Sequence, residues 1–312
     1  MACIVLSDLA GSGSVLPGSV LLGHPRSNHR SDIAGVQFDF VTQSHVLESI
    51  LQWRAARQQR YIVLANPHSV MTCRRNPRMH DAAKRAGLCL PDGVGVVLAA
   101  KLLGHGRRHR VTGPALLLQV CDQGRAHGLR HFFVGGGEGV AGKLRDRLLE
   151  LYPGLQVVGV ATPPFTAPTP GEDARLVRRI NRAKPDVVWV ALGAPKQEVW
   201  MSAHLNAVNA SAMIGVGAAF DFHSGKVKWA PHWVRRWGLE WAHRLFTDPG
   251  RMWRRNIDSP RFLLAILAQA VRRKLALKPR SQHSLPGLPP EIEKSTSKFS
   301  ERQPQWELES VL

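Results

Sequence analysis

Asp92 is a candidate for acid–base chemistry because of where it lies in the chain. It stands between Pro91 and Gly93, directly after a short apolar run at residues 89–90 that we predict to be a strand. Ligands in open α/β folds bind where strands end, and a carboxylate placed there can take a proton from a substrate. Aspartate also opens turns and caps helices, and spacing alone favours that structural role. Both roles therefore remain open at this position.

A polar loop at residues 194–198, with the sequence Ala-Pro-Lys-Gln-Glu, suggests an anionic ligand. It lies between a predicted buried strand and a predicted helix, within a strand–loop–helix–strand unit that extends to Asp221. A helix N-terminus favours phosphate, and this loop places a cation, an amide and a carboxylate directly ahead of one. The pattern predicts an anionic or nucleotide ligand and nothing finer.

Two further features could bind phosphate. Residues 135–139 read Gly-Gly-Gly-Glu-Gly between a predicted strand and a predicted helix, so that a phosphate could approach the backbone. The run is neither a GxGxxG fingerprint nor a P-loop, and a glycine-rich turn without a ligand is nearly as common. Arg110 could also hold a phosphate, although an arginine after the basic run at 107–109 is solvated by default. The chain has no DxD motif, so paired aspartates that hold a metal are not predicted.

The composition limits the class of protein. In 312 residues, 42 lysines and arginines oppose 23 aspartates and glutamates, which gives a net charge of +19. This excess favours a polyanionic partner, such as nucleic acid, an anionic membrane face or a phosphorylated substrate. The 4 cysteines form no CxxC pair and predict reduced thiols in a cytoplasmic protein. The N-terminal stretch lacks early basic residues and is broken by Asp8 and glycines, which argues against a signal peptide.

The elements that would position these residues alternate along the chain. Strands are predicted at 33–40, 61–64, 89–90, 131–134, 156–161, 187–192 and 212–216, and helices at 42–58, 80–86, 96–103, 114–127, 140–152, 172–183, 199–208 and 260–277. The segment at 65–68 is predicted to be a loop. Such alternation predicts an α/β fold with a parallel sheet and helices on both of its faces.

The chain is predicted to have four parts. Residues 1–32 are predicted to be a disordered leader, 33–225 an α/β core, 226–279 a basic helical appendage close to a membrane and 280–312 a disordered tail. Between Lys226 and Arg280 there are 14 basic residues against 3 acidic ones, with 5 tryptophans among them. This tract is compatible with stacking on single-stranded nucleic acid, with contact to an anionic bilayer, or with a packed helical subdomain whose arginines are solvated.

Short motifs then occur in an order that resembles the WecG/TagA/CpsF glycosyltransferases. They are Pro91-Asp92-Gly93-Val94-Gly95-Val96, Arg110-Val111-Thr112-Gly113, Gly135-Gly136 with Gly139-Val140, Tyr152-Pro153-Gly154-Leu155, Ala194-Pro195-Lys196-Gln197-Glu198, Gly215-Val216-Gly217 with Phe220-Asp221, Ala230-Pro231, Gly238-Leu239-Glu240-Trp241, and Arg244-Leu245 with Pro249 and Arg251. The resemblance covers about residues 33–267. It implies a Rossmann-like core with a basic C-terminal appendage that aids membrane association and closure of the active site.

The same resemblance implies an inverting transfer of a sugar from a UDP-sugar to an undecaprenyl-diphosphate-linked saccharide, with no metal or other cofactor. Asp92 matches the proposed general base. The positions that match substrate-binding residues are Asn66, Arg110, Gly136, Gln197, Asp221, Arg244, Arg251 and Arg254. The family often has threonine two residues before the asparagine, where this chain has Leu64, and this departure puts a hydroxyl contact to the acceptor in doubt.

The resemblance also implies where the protein works and with what. We expect a cytoplasmic protein bound peripherally to the inner, anionic face of the cell membrane, able to form homo-oligomers and not binding nucleic acid. The sequence Asn-Pro-His-Ser at residues 66–69 and the long basic tail favour glucosyl transfer in exopolysaccharide synthesis, as in xanthan-type gum. The alternative is transfer of N-acetylmannosamine or its uronic acid, as in teichoic acid or common antigen synthesis.

Overall fold

The computed structural model describes residues 30–106, 109–164, 169–227, 229–231, 234, 250 and 257–276. Its strands are β1 (Ser31–Ile33), β2 (Val36–Phe38), β3 (Arg60–Ala65), β4 (Leu88–Pro91), β5 (Arg130–Gly135), β6 (Gln156–Ala161), β7 (Val187–Ala191) and β8 (Ala212–Gly215). Within these residues, β1 and β2 form a small antiparallel sheet, and the other strands form a parallel sheet in the order β4-β3-β8-β7-β5-β6.

Helices follow most strands of the parallel sheet. They are α1 (Gln43–Ala55), α2 (Pro67–Arg75), α3 (Pro77–Arg85), α4 (Val94–Leu102), α5 (Gly113–Gln123), α6 (Val140–Leu151), α7 (Pro170–Ala183), α8 (Lys196–Ala203), α9 (Ala219–His223) and α10 (Asp258–Ala276), with a 3-10 turn at Gly124–His127. No helix among the described residues combines the length and the apolar character that a bilayer crossing requires.

The sheet is covered on both faces, which explains why its strands are apolar without alternation. Every residue of β4, β7 and β8 is buried. Along β3, Tyr61 and Val63 belong to one hydrophobic cluster, whereas Ile62 and Leu64 belong to another on the opposite face. Successive side chains of a strand point to opposite faces, so both faces need apolar residues. The predicted α/β class with a parallel, helix-covered sheet is confirmed.

Four local predictions were wrong. The edge strand predicted at 33–40 is a hairpin that turns at Ala34 and Gly35, where φ is +53° and +92°. The segment predicted as a loop at 65–68 begins α2, and the helix predicted to start at residue 80 starts at Pro77. In α2 and α3, an asparagine caps the helix and a proline takes the first helical position, a combination that marks helix starts. Helix α8 begins at Lys196, so the loop predicted at 194–198 is mostly its first turn.

Helix α10 is the longest described part of the predicted basic C-terminal appendage. Its residues Phe262 and Ile266 are buried. The chain divides into two compact units, residues 1–271 and 272–312, and the described part of the second unit is the end of α10. Residues 1–29 and 277–312, which include most of the predicted leader and all of the predicted tail, lie outside the described residues. The boundary near residue 226 stays a prediction.

Candidate active site

A cleft of about 1390 Å³ opens at the carboxyl end of the parallel sheet. The residues that directly follow β3, β4, β5, β7 and β8 all line it, and these are Asn66, Asp92, Gly136, Leu192 and Val216. Parallel strands end at the same edge of a sheet, and the segments that follow them build ligand sites in this class of fold. The cleft brings together every described residue that the sequence indicated for the site: Asn66, Asp92, Arg110, Gly136, Gln197 and Asp221.

Asp92 is half-buried in the cleft, with its carboxylate held by a neighbouring helix. The backbone N–H of Gly113, the first residue of α5, donates to Asp92 Oδ1 at 3.2 Å. The strand end is fixed as well, because the N–H of Asp92 donates to the carbonyl of Ala65 at 3.0 Å. Helix α4 is capped by Gly93 without a side-chain hydrogen bond. The N-cap of α4 is thus a residue without a side chain, and the Asp92 carboxylate accepts from the N-terminus of α5.

Tight glycine packing places Asn66 next to Asp92. A Cβ on Gly93 would lie 2.9 Å from Pro67 Cδ, and a Cβ on Gly95 would lie 2.7 Å from Pro67 Cγ. The start of α4 therefore packs directly on the start of α2. The last paired residues of β3 and β4 are Ala65 and Pro91, and Asn66 and Asp92 are the next residues of the two strands. The Oδ1 of Asn66 accepts from the Ser69 N–H at 3.0 Å, which caps α2 and fixes the side chain at the cleft.

Gln197 offers a buried hydrogen-bond acceptor to the cleft. Its side chain is 4 % exposed, and its Nε2 donates to Glu198 Oε1 at 2.8 Å. Its Oε1 has no hydrogen-bond partner among the described residues. A Cβ on Gly215 would lie 2.9 Å from Gln197 Nε2, so the bare backbone of β8 makes room for this amide. Because a buried acceptor without a partner is unfavourable, an N–H or hydroxyl of a ligand would be well bound here.

Three basic side chains among the described residues line the cleft, and Lys226 lies beside the glycine-rich turn after β5. Arg110, Arg147 and Lys226 all line the cleft. A Cβ on Gly137 would lie 2.8 Å from Lys226 Nζ, and Lys226 Nζ is 3.9 Å from Asp221 Oδ1. Exposed backbone beside an ammonium group suits a phosphate. The sequence did not indicate Arg147 as a site residue, because its only signal is a position on the helix that follows the turn.

His223 and Trp229 form part of the cleft that the sequence did not indicate. His223 Nε2 donates to the carbonyl of Pro114 at 2.9 Å. Burial lowers the pKa of His223, and the positive charge of Arg147 lowers it further, whereas the hydrogen bond to Pro114 raises it. The net effect is a lowered pKa, so the imidazole is neutral at neutral pH. The Trp229 ring packs on Phe222 and His223, with centroid distances of 4.8 and 5.2 Å.

A buried carboxylate anchors α10 to the core beside the cleft. Asp258 is 2 % exposed, accepts from both Arg75 guanidinium nitrogens at 2.6 and 2.7 Å, and lies 2.6 Å from His68 Nδ1. The hydrogen bonds from Arg75 hold the pKa of Asp258 below its usual value, against the opposing effect of burial. Gln269 ties the same helix to the hairpin of β1 and β2, because its Oε1 accepts from the N–H of Ala34 in the turn at 2.8 Å. These contacts join residues far apart in the chain, and the sequence pattern carries no signal for them.

The remaining predicted site residues, Arg244, Arg251 and Arg254, lie outside the described residues. The roles predicted for all site residues stay predictions. The three described cysteines, Cys73, Cys89 and Cys121, are buried free thiols.

Comparisons with known proteins give a consistent result. Residues 31–276 match the model of the glycosyl transferase WecG/TagA/CpsF family. The chain is 33% identical over 207 residues to the N-acetylglucosaminyldiphosphoundecaprenol N-acetyl-beta-D-mannosaminyltransferase of Bacillus spizizenii, covering 66% of this chain and 78% of the relative. Proteins of the same name from Bacillus subtilis (29% over 225 residues, 72% and 85% covered) and Staphylococcus aureus (30% over 232 residues, 73% and 89% covered) are also similar.

Proposed function

The chain belongs to the WecG/TagA/CpsF family of glycosyltransferases, and on that premise we propose that it transfers N-acetylmannosamine from its UDP conjugate to N-acetylglucosaminyl diphosphate on undecaprenol. The observation that carries the proposal is the convergence of Asn66, Asp92, Arg110 and Gln197 on one cleft at the strand ends. The preference for glucosyl transfer drawn from the sequence has no support among the relatives, whose names specify mannosaminyl transfer. We therefore adopt the alternative sugar.

Asp92 is the general base in this proposal. The acceptor hydroxyl attacks the anomeric carbon of the donor sugar, and its proton passes to the Asp92 carboxylate as the new C–O bond forms. The bond between the anomeric carbon and the UDP oxygen breaks, and UDP leaves with the electron pair. A single displacement of this kind needs one base and no covalent intermediate, and it inverts the anomeric centre. The hydrogen bond from Gly113 supports this role by holding the carboxylate in one orientation.

Charge in the cleft supports an anionic donor. UDP gains negative charge as it leaves, and Arg147 and Lys226 are placed to stabilise it. The donor then lies on the side of the glycine-rich turn, with Asp221 and the unpartnered Gln197 Oε1 at the nucleotide-sugar end. The acceptor enters from the opposite side of Asp92. We further propose that the reaction needs no metal and that the protein acts at the inner membrane face. Self-association stays a prediction.

Transfer assays with purified full-length protein test this function. The acceptor is N-acetylglucosaminyl diphosphate on a polyprenol, and the donors are UDP-N-acetylmannosamine, UDP-N-acetylmannosaminuronate and UDP-glucose, each with and without a chelator. We expect a disaccharide product from UDP-N-acetylmannosamine at a rate that the chelator leaves unchanged. Transfer from UDP-glucose alone would refute the proposed sugar, and loss of activity with chelator would refute metal independence. A nucleic-acid-binding protein would transfer no sugar and would bind oligonucleotides with steep salt dependence.

A further inference from the structure

Two helices present apolar stripes to the outer end of the cleft. On each helix, four of the residues that line the cleft are spaced i, i+3, i+4 and i+7, which places them on one face. They are Gly95, Leu98, Ala99 and Leu102 on α4, and Ser259, Phe262, Leu263 and Ile266 on α10. The helices adjoin near their first turns, because a Cβ on Gly95 would lie 4.0 Å from Phe262 Cε1. We call this surface the α4–α10 groove.

The α4–α10 groove has a buried floor and exposed rims. Ala99, Phe262 and Ile266 are buried and form the floor. The rims are Leu98, Leu102 and Leu263, whose exposed fractions are 54%, 62% and 52%. None of the eight stripe residues is charged, although the chain as a whole is strongly basic. Exposed apolar surface that is continuous with a polar cleft is typical of a binding site for an apolar ligand group.

The position of the groove relative to Asp92 indicates which group of the substrate it faces. Helix α4 begins two residues after Asp92, and Leu98 and Leu102 lie about 6 and 12 Å beyond its first residue, Val94, at the usual rise of a helix. An acceptor with its hydroxyl at Asp92 extends over one sugar and a diphosphate before its lipid begins. Arg110 lies in the same cleft and can pair with that diphosphate. The leucines are therefore where the lipid starts.

We propose that the α4–α10 groove binds the first isoprene units of the acceptor lipid. The inference rests on the proposed function, since it takes the acceptor to be a polyprenyl diphosphate sugar. Isoprene units are branched and wholly apolar, so they are matched by leucine rims and a floor of alanine, phenylalanine and isoleucine. The groove would select acceptors by chain length, a property that Asp92 and the donor side of the cleft cannot supply.

The test compares acceptors that differ only in their lipid. Wild type, the double variant Leu98→Ser/Leu102→Ser and the control Leu149→Ser are assayed in detergent with N-acetylglucosaminyl diphosphate carrying either undecaprenyl or a single five-carbon isoprenyl group. Leu149 is an exposed leucine of α6 that does not line the cleft. We expect the double variant to lose about tenfold in kcat/KM for the undecaprenyl acceptor, chiefly through KM, and to be unchanged with the short acceptor. The control should match wild type with both.

Other outcomes would overturn the proposal. An equal loss with both acceptors would mean that the leucines do not recognise the lipid. A loss seen only with vesicles of phosphatidylethanolamine and phosphatidylglycerol, and not in detergent, would mean that they contact the bilayer surface instead.

A binding assay keeps the inference separate from the proposed function. Undecaprenyl diphosphate without sugar is titrated in detergent while the tryptophan fluorescence is followed, so that no transfer is required. We expect the double variant to bind about tenfold more weakly than wild type and Leu149→Ser. Equal binding by all three proteins would refute the groove even if transfer occurs, whereas weaker binding without any transfer would refute only the proposed reaction.

Discussion

The cleft has two sides that are built by different physical means. The strand-end wall, formed by the residues that follow β3, β4, β7 and β8, holds polar side chains through backbone hydrogen bonds and close glycine contacts. The α4–α10 groove instead presents leucines whose side chains are about half exposed. Catalytic groups must be held within about 0.5 Å of their productive positions. The hydrogen bonds and close contacts of the strand-end wall suit this requirement. The lipid proposed for the α4–α10 groove is flexible and apolar, so it requires only an apolar surface and not precisely held side chains.

Among substitutions that test the strand-end wall, the largest loss of activity is expected at Asp92. Asp92→Asn keeps the size of the side chain and its bond to Gly113 but removes the base, so we expect turnover to fall by about 10²- to 10⁴-fold. Thermal unfolding should change little. The control Asp146→Asn alters an exposed carboxylate on α6 and should keep full activity. Undiminished turnover in Asp92→Asn would show that another group takes the proton.

A smaller effect is expected where α10 is anchored. Asp258→Asn removes the charge that pairs with Arg75 and His68, and we expect urea unfolding to show a loss of about 2 kcal/mol. Asp122→Asn is the control, because the Asp122 carboxylate that pairs with Arg125 is far more exposed than that of Asp258, and exposed pairs contribute about 0–1 kcal/mol. If both variants lost the same small amount, the contact at Asp258 would be no stronger than a surface ion pair.

The anchor should also respond to pH in a defined direction. The pKa of Asp258 is lower in the folded than in the unfolded protein, so its stabilisation is complete above the unfolded pKa, about 3.9, and is lost as pH falls through the folded value. The difference in unfolding free energy between wild type and Asp258→Asn should therefore be constant near neutral pH and shrink only below about pH 4. A difference that changes between pH 7 and 5 would contradict the assignment of this stabilisation to the Asp258 carboxylate.

The smallest effect should come from adding one methyl group where the start of α4 packs on α2. Gly95→Ala places a Cβ 2.7 Å from Pro67 Cγ, and overpacking of this kind costs about 1–3 kcal/mol. The loss is expected near the lower end, because a single methyl group is added. Gly142→Ala is the matched control, since no atom lies within 4 Å of its Cβ and alanine favours the interior of α6, raising stability by about 0.5–1 kcal/mol. Urea unfolding should give opposite signs, and equal signs would contradict close packing at Gly95.

The strand-end wall could be predicted from the sequence because its residues belong to short motifs at strand ends. Asp92, Gln197 and Asp221 each come after a short apolar run that the sequence shows directly. Parallel strands bring the ends of such runs to one edge of the sheet. The parallel sheet was predictable for the same reason. The hairpin at residues 31–38 was not, because its strands have three residues each and give no clear period.

The α4–α10 groove could not be predicted in this way. It depends on contacts between α10 and elements near the start of the chain, such as those of Asp258 with Arg75 and of Gln269 with Asp32. Exposed leucines on an amphipathic helix normally indicate only a surface or a buried face. The capped start of α2 did carry a signal, Asn66-Pro67, which is compatible with a helix start as well as with the loop that we predicted.

Helix α2 has a mechanical consequence, since it joins the two sides of the cleft. It has nine residues, and its cap, Asn66, lies next to Asp92, while Arg75 at its far end donates to the first residue of α10. So short a helix, about 14 Å long, is expected to move as one rigid element. A shift of α10 would therefore be transmitted along α2 to Asn66, beside Asp92.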